Sequence, residues 1–175
     1  MKKKSSLSKI FELLALVTGS IWFGSYIARL LITYQMFEYN EIILKNYITD
    51  NNLSAIIQTN FPLVNLTFFS YLIFIICFSI FLILTSMKLK ENGWLFIVSM
   101  IIYLTLPFEV ILSAIDYKLI ILFMNAQFSS DQVLKLITKR ISLLNSFPII
   151  LVLSYLSIPY FLVFKPFTIK SKNEN

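Results

Sequence analysis

From Phe68 to Met87 the chain runs for twenty residues without a formal charge. At 1.5 Å per residue a helix of about 20 residues covers the ~30 Å hydrocarbon core of a bilayer, and a helix satisfies its own backbone where no water can. The rest of the sequence fits the same solvent: 58% of the residues are hydrophobic and only 14% charged, more apolar than water-soluble domains tolerate. The expected fold is therefore an all-α integral membrane protein, four transmembrane helices in one antiparallel bundle occupying the whole chain, 1–175. The spans are placed at about 11–34, 63–87, 94–115 and 141–164. Pro62 suits a first helical position for the second of them.

The six residues 88–93 between spans two and three make a turn too short to let those helices separate. Residues 35–62 and 116–140 then form two outer connections, each expected to hold short interfacial helices. In the first, Ile43, Tyr47 and Ile48 and then Leu53, Ile56 and Ile57 recur near helical spacing. In the second, Ser129 with Gln132 three residues on resembles a capping box, and Leu134, Ile137, Ile141 and Leu144 share a face opposite Lys135 and Lys139. This second helix is expected to run directly into span four.

Orientation follows from lysines and arginines. With both termini inside, Lys2, Lys3, Lys4, Lys9, Lys88, Lys90, Lys165, Lys170 and Lys172 face the cytoplasm, against Lys45, Lys118, Lys135, Lys139 and Arg140 outside. Met1, Lys2, Lys3 and Lys4 before an apolar stretch imitate a signal peptide. That stretch continues to Phe37 with no small-residue cleavage site, so it reads as an uncleaved anchor. A Lys-, Ile- and Asn-rich, Ala-poor composition points to a bacterial inner membrane. Trp94, Tyr34, Tyr39 and Tyr117 are expected as anchors at the membrane surface.

Chemistry is sparse. The chain has no His, one Cys and three Gly, which leaves no His-based metal or haem site, no Cys/His nucleophile, no disulfide and no phosphate-cradling loop. No metal, cofactor or nucleic-acid partner is expected, and no enzyme activity. Two ionisable residues stand inside the spans, Arg29 in the first and Glu109 in the third, where a lone charge costs about 2.5 to 3.5 kcal/mol or more. Measured from the cytoplasmic ends they lie about 27 and 23 Å along their helices, so an Arg29–Glu109 ion pair is predicted. Glu109, Ser113 and Asp116 share one helical face, as do Trp22, Ser25 and Arg29, and Asn65 and Asn145 stand where they would complete a polar cluster. Pro107 is expected to kink span three and free a carbonyl toward it.

Ser20, Gly24 and Ala28 recur every four residues and form a small-residue ridge for close helix approach, within the bundle or against another subunit. The leading expectation is a non-catalytic subunit or scaffold of a larger membrane assembly, its partners being the lipid bilayer and other membrane chains or further copies of itself. The alternative is a small oligomeric transporter or channel component with a charged outer-leaflet site at Arg29 and Glu109.

Overall fold

The computed structural model describes residues 6–38, 42–125, 129–144 and 147–169. They form five helices: α1 (Ser6–Gln35), α2 (Asp50–Leu84), α3 (Gly93–Met124), α4 (Ser130–Leu144) and α5 (Phe147–Phe164). Four of these, α1, α2, α3 and α5, are long and apolar enough to cross a membrane. Among the described residues there is no β-strand, only two isolated bridges, Phe37 with Leu44 and Asn92 with Thr168.

Helix bounds depart from the expected spans where the chain leaves the apolar runs. α2 has 35 residues, about 52 Å at 1.5 Å per residue, so it overreaches ~30 Å of hydrocarbon by several turns. It starts at Asp50 rather than near Pro62, because Thr49 caps it: the Thr49 N–H donates to Asn52 Oδ1 at 2.8 Å. Pro62 is an interior residue. Leu53, Ile56 and Ile57 are helical, as expected, but as the first turns of α2 and not as a separate helix. Ile43, Tyr47 and Ile48 lie in a non-helical stretch closed by Tyr47 Oη donating to the Gln35 carbonyl at 2.7 Å. α3 likewise continues through Pro107 to Met124. Helix α4 ends at Leu144 and α5 begins at Phe147 with Pro148 in its first turn, a position where its missing N–H costs nothing.

The α1–α2 contact is the most extensive in the molecule, α5 packs chiefly on α3, and α4 leans on α3 and α2. Ser25 meets Thr67, Trp22 meets Tyr71 and Gly19 meets Phe74, so numbering falls along α2 as it rises along α1. Two apolar cores result. One is built around Trp22 with Tyr71, Phe74, Phe78, Val98, Ile102, Leu151 and Tyr155. The other lies at the connector end and joins Met36, Ile57, Val64, Leu119, Ile120 and Val133. Trp94, expected as a surface anchor, is buried in the first core, its ring 5.7 Å from the Lys165 ammonium. Tyr34 and Tyr117 are exposed, while Tyr39 lies outside the described residues.

At the opposite end from the connectors, residues 165–169 fold back over the α2–α3 turn. Gly93 N–H donates to the Phe167 carbonyl at 3.1 Å and Ile169 N–H to the Glu91 carbonyl at 2.9 Å, so both segments sit on one face of the molecule. A Cβ at Gly93 would stand 2.7 Å from Phe167 Cβ, closer than real carbon atoms approach. Gly93→Ala is therefore expected to lift the tail off the turn, because relieving overpacking of this kind is worth about 1–3 kcal/mol. Faster proteinase K cleavage within 165–169, with the helices intact by circular dichroism, is the expected readout.

Candidate functional site

A layer of charge and hydroxyl groups separates the two cores. Helical spacing on α1 turns Trp22, Ser25 and Arg29 inward together, and all three are buried. On α3 the face that carries Ile102 and Thr105 brings Glu109, Leu112 and Asp116 in behind them. Ser25 Oγ donates to the Trp22 carbonyl at 2.9 Å and accepts from Thr67 Oγ1 at 3.2 Å. Tyr155 Oη and Thr105 Oγ1 form a further hydrogen bond at 3.2 Å.

Arg29 does not pair with Glu109. Its guanidinium grips Asp116 with both terminal nitrogens, Nη1 to Oδ2 at 2.7 Å and Nη2 to Oδ1 at 2.6 Å. Arg140, from α4, donates Nε to the same Oδ1 at 3.1 Å, and its guanidinium carbon lies 5.8 Å from the Tyr26 ring centre. One carboxylate thus holds two arginines from two other helices. The side chains of Arg29, Asp116 and Arg140 are only 7%, 4% and 12% exposed. The short, two-pronged geometry suits the guanidinium fork, and burial makes each of these bonds stronger than it would be in water.

The predicted pairing failed for a geometric reason. Depth measured from the cytoplasmic span ends takes those ends as level, but helices of unequal length need not start level, and an arginine side chain reaches across more than a turn. The sequence counts Arg140 with Lys135 and Lys139 among the outer basic residues. Those lysines are exposed, yet Arg140 is seven residues from Val133, which is 1% exposed, and so lies on the buried face. That spacing was the signal available.

The other candidates scatter. Glu109 is 3% exposed, and its Oε1 has no hydrogen-bond partner among the described residues. Asn65 is half-buried with Oδ1 likewise unpartnered. Ser113 is half-buried and takes no part in the arginine bonds. Asn145 lies outside the described residues. The ridge faces outward: Ser20 and Gly24 are exposed, Ala28 is half-buried, and a Cβ built on Gly24 meets nothing within 4 Å. Gly19, which borders the ridge, makes the close internal approach instead, 3.0 Å from the Phe74 ring.

Two cavities flank this layer. A larger one of about 160 Å³ lies in the first core, walled by Phe23, Phe74, Phe78, Trp94 and Tyr155 with Glu12 among its lining. The smaller, about 40 Å³, is lined by both arginines together with Thr33, Tyr34 and Asn60. Among the described residues no group of acidic, His or Cys side chains is gathered to hold a metal ion. Comparison of the chain with protein-family models, curated proteins and solved structures finds no match.

Proposed function

We propose that this protein is a non-catalytic, multi-pass membrane subunit or scaffold. Four spans, α1, α2, α3 and α5, form an antiparallel bundle in a bacterial inner membrane, both termini are cytoplasmic, and α4 lies at the outer interface. The observation that carries this reading is the closed bonding of Asp116 to Arg29 and Arg140. Charges spent on one another inside a bundle fix helices in place, and breaking such a set leaves a bare charge in a medium that cannot solvate it. The exposed ridge of Ser20, Gly24 and Ala28 supports the same reading, since helix association in lipid relies on close packing at small residues where no hydrophobic drive exists.

Purification of the tagged chain in mild detergent tests this. Gly24→Leu is expected to accumulate normally, because its side chain meets open space, and to lose whatever distinct chains accompany the native protein. A purified homo-oligomer that moves solute across liposomes, with no chain lost on Gly24→Leu, would favour a transport component. One observation speaks for that second reading: the unpartnered Glu109 Oε1.

Orientation has its own test. Residues 165–169 touch the 88–93 turn, and lysines crowd that end, so reporter fusions at residue 90 and at the C-terminus are both expected to report the cytoplasm. Fusions reporting opposite sides would contradict the four-span topology.

A further inference from the structure

The larger cavity, about 160 Å³, is walled by all four long apolar helices and takes no part in the bonding of Asp116. Its floor is buried, with Ala15 on α1, Phe78 on α2, Val98 on α3 and Tyr155 on α5, and every described lining residue on α2 and α3 is buried too. Its rim is exposed: Leu16 and Ser20 on α1 and Pro159 on α5. Those two helices touch each other little. The cavity therefore opens sideways between α1 and α5, helices whose outer faces carry exposed Leu13, Val17, Leu153 and Leu156.

We propose that this cavity is a binding groove for a hydrocarbon chain of a membrane lipid, entered from the side between α1 and α5. The inference rests on the four spans lying in a bilayer and not on the subunit reading.

Three physical arguments support it. The lining is aromatic and aliphatic, with Glu12 its one charged residue among those described. Apolar space of about 150 Å³ stays dry and takes up apolar molecules, so hydrocarbon suits it where water does not, and the gain is contact between packed atoms. Size decides against a partner helix as the occupant. A helix is about 10–12 Å across with its side chains, too wide for this space, whereas a stretch of a single hydrocarbon chain enters it. Depth agrees as well. On α1 the lining runs from Glu12 to Phe23, about 16 Å at 1.5 Å per residue, close to one leaflet of a ~30 Å hydrocarbon core. Charge gathers at one end of that run. Glu12 lies near the start of α1, and Trp94 lines the cavity from the first turn of α3, with the Lys165 ammonium 5.7 Å from its ring. This is the end at which residues 165–169 cover the 88–93 turn. The groove thus has a polar end at the surface and an apolar course inward, as a lipid has.

Quenching of tryptophan fluorescence by brominated lipid tests the proposal, because bromine quenches an indole only at close range. The chain has two tryptophans, and Trp22→Phe leaves Trp94, a lining residue, as the only indole. In vesicles of phosphatidylcholine brominated along its acyl chains, this variant is expected to lose most of the emission it shows in the unbrominated lipid. Adding Ala15→Leu, which puts bulk inside the cavity, should restore much of it. Ser20→Leu does the same from the exposed rim should the Ala15 variant fail to fold. The lipid-facing control is Leu153→Trp in a chain with both native tryptophans replaced by Phe, Leu153 being 63% exposed. A quenched control beside an unquenched Trp94 would overturn the groove and leave the spans in the bilayer, while an unquenched control would overturn both. Quenching that neither leucine relieves would mean that bromine reaches Trp94 from outside the cavity. Quenching that fades as the protein-to-lipid ratio rises would give the mouth to a second copy of the chain. Either of these results overturns the proposal.

Discussion

Asp116→Leu is expected to destabilise the folded protein by about 3–5 kcal/mol, the cost of stripping the partner from buried charges. The substitution leaves the Arg29 and Arg140 guanidinium groups without the carboxylate to which both donate. Glu109→Gln should cost distinctly less, because Glu109 makes no hydrogen bond to either arginine and surrenders only a longer-range attraction. Unfolding in mixed micelles titrated with denaturing detergent measures both variants. A larger loss at Glu109 than at Asp116 would restore the Arg29–Glu109 pairing that axial position alone predicts.

Trp22→Ala is expected to cost about 3 kcal/mol or more. Trp22 is 0% exposed and stands among five rings: it stacks on Phe74, tilts against Phe23, Tyr26 and Tyr71, and meets the edge of Tyr155 at 4.8 Å. Those rings come from α1, α2 and α5, so one deletion empties the joint between three of the spanning helices. In lipid the loss is mainly one of packing, since transfer of apolar surface out of water contributes little there. Trp22→Phe, which keeps most of the ring contacts, should retain most of the stability in the same assay.

The spans were legible because a membrane sets a length that sequence must meet, and Phe68–Met87 meets it without a charge. Their ends were not, because leaving the bilayer does not stop a helix. Thr49 and Asn52 start α2 a full thirteen residues before the expected edge at Leu63, a cap in which Asn takes the place of the usual Glu or Gln. Inward faces were legible from spacing alone, as Trp22, Ser25 and Arg29 show. The pairing between faces was not, because it depends on how far one helix slides along another. Arg140 shows a different limit: it was counted only as an outer positive charge, while its spacing from Val133 put it on the buried face.

The account rests on Asp116 tying α1 and α4 to α3. A double-mutant cycle in bilayer-like micelles, with Arg29→Met, Asp116→Leu and the two together, tests it most directly. The predicted result is a combined loss smaller than the sum of the single losses by about 2 kcal/mol, the mark of two groups that stabilise the fold through each other. Losses that simply add would show that Arg29 and Asp116 do not meet.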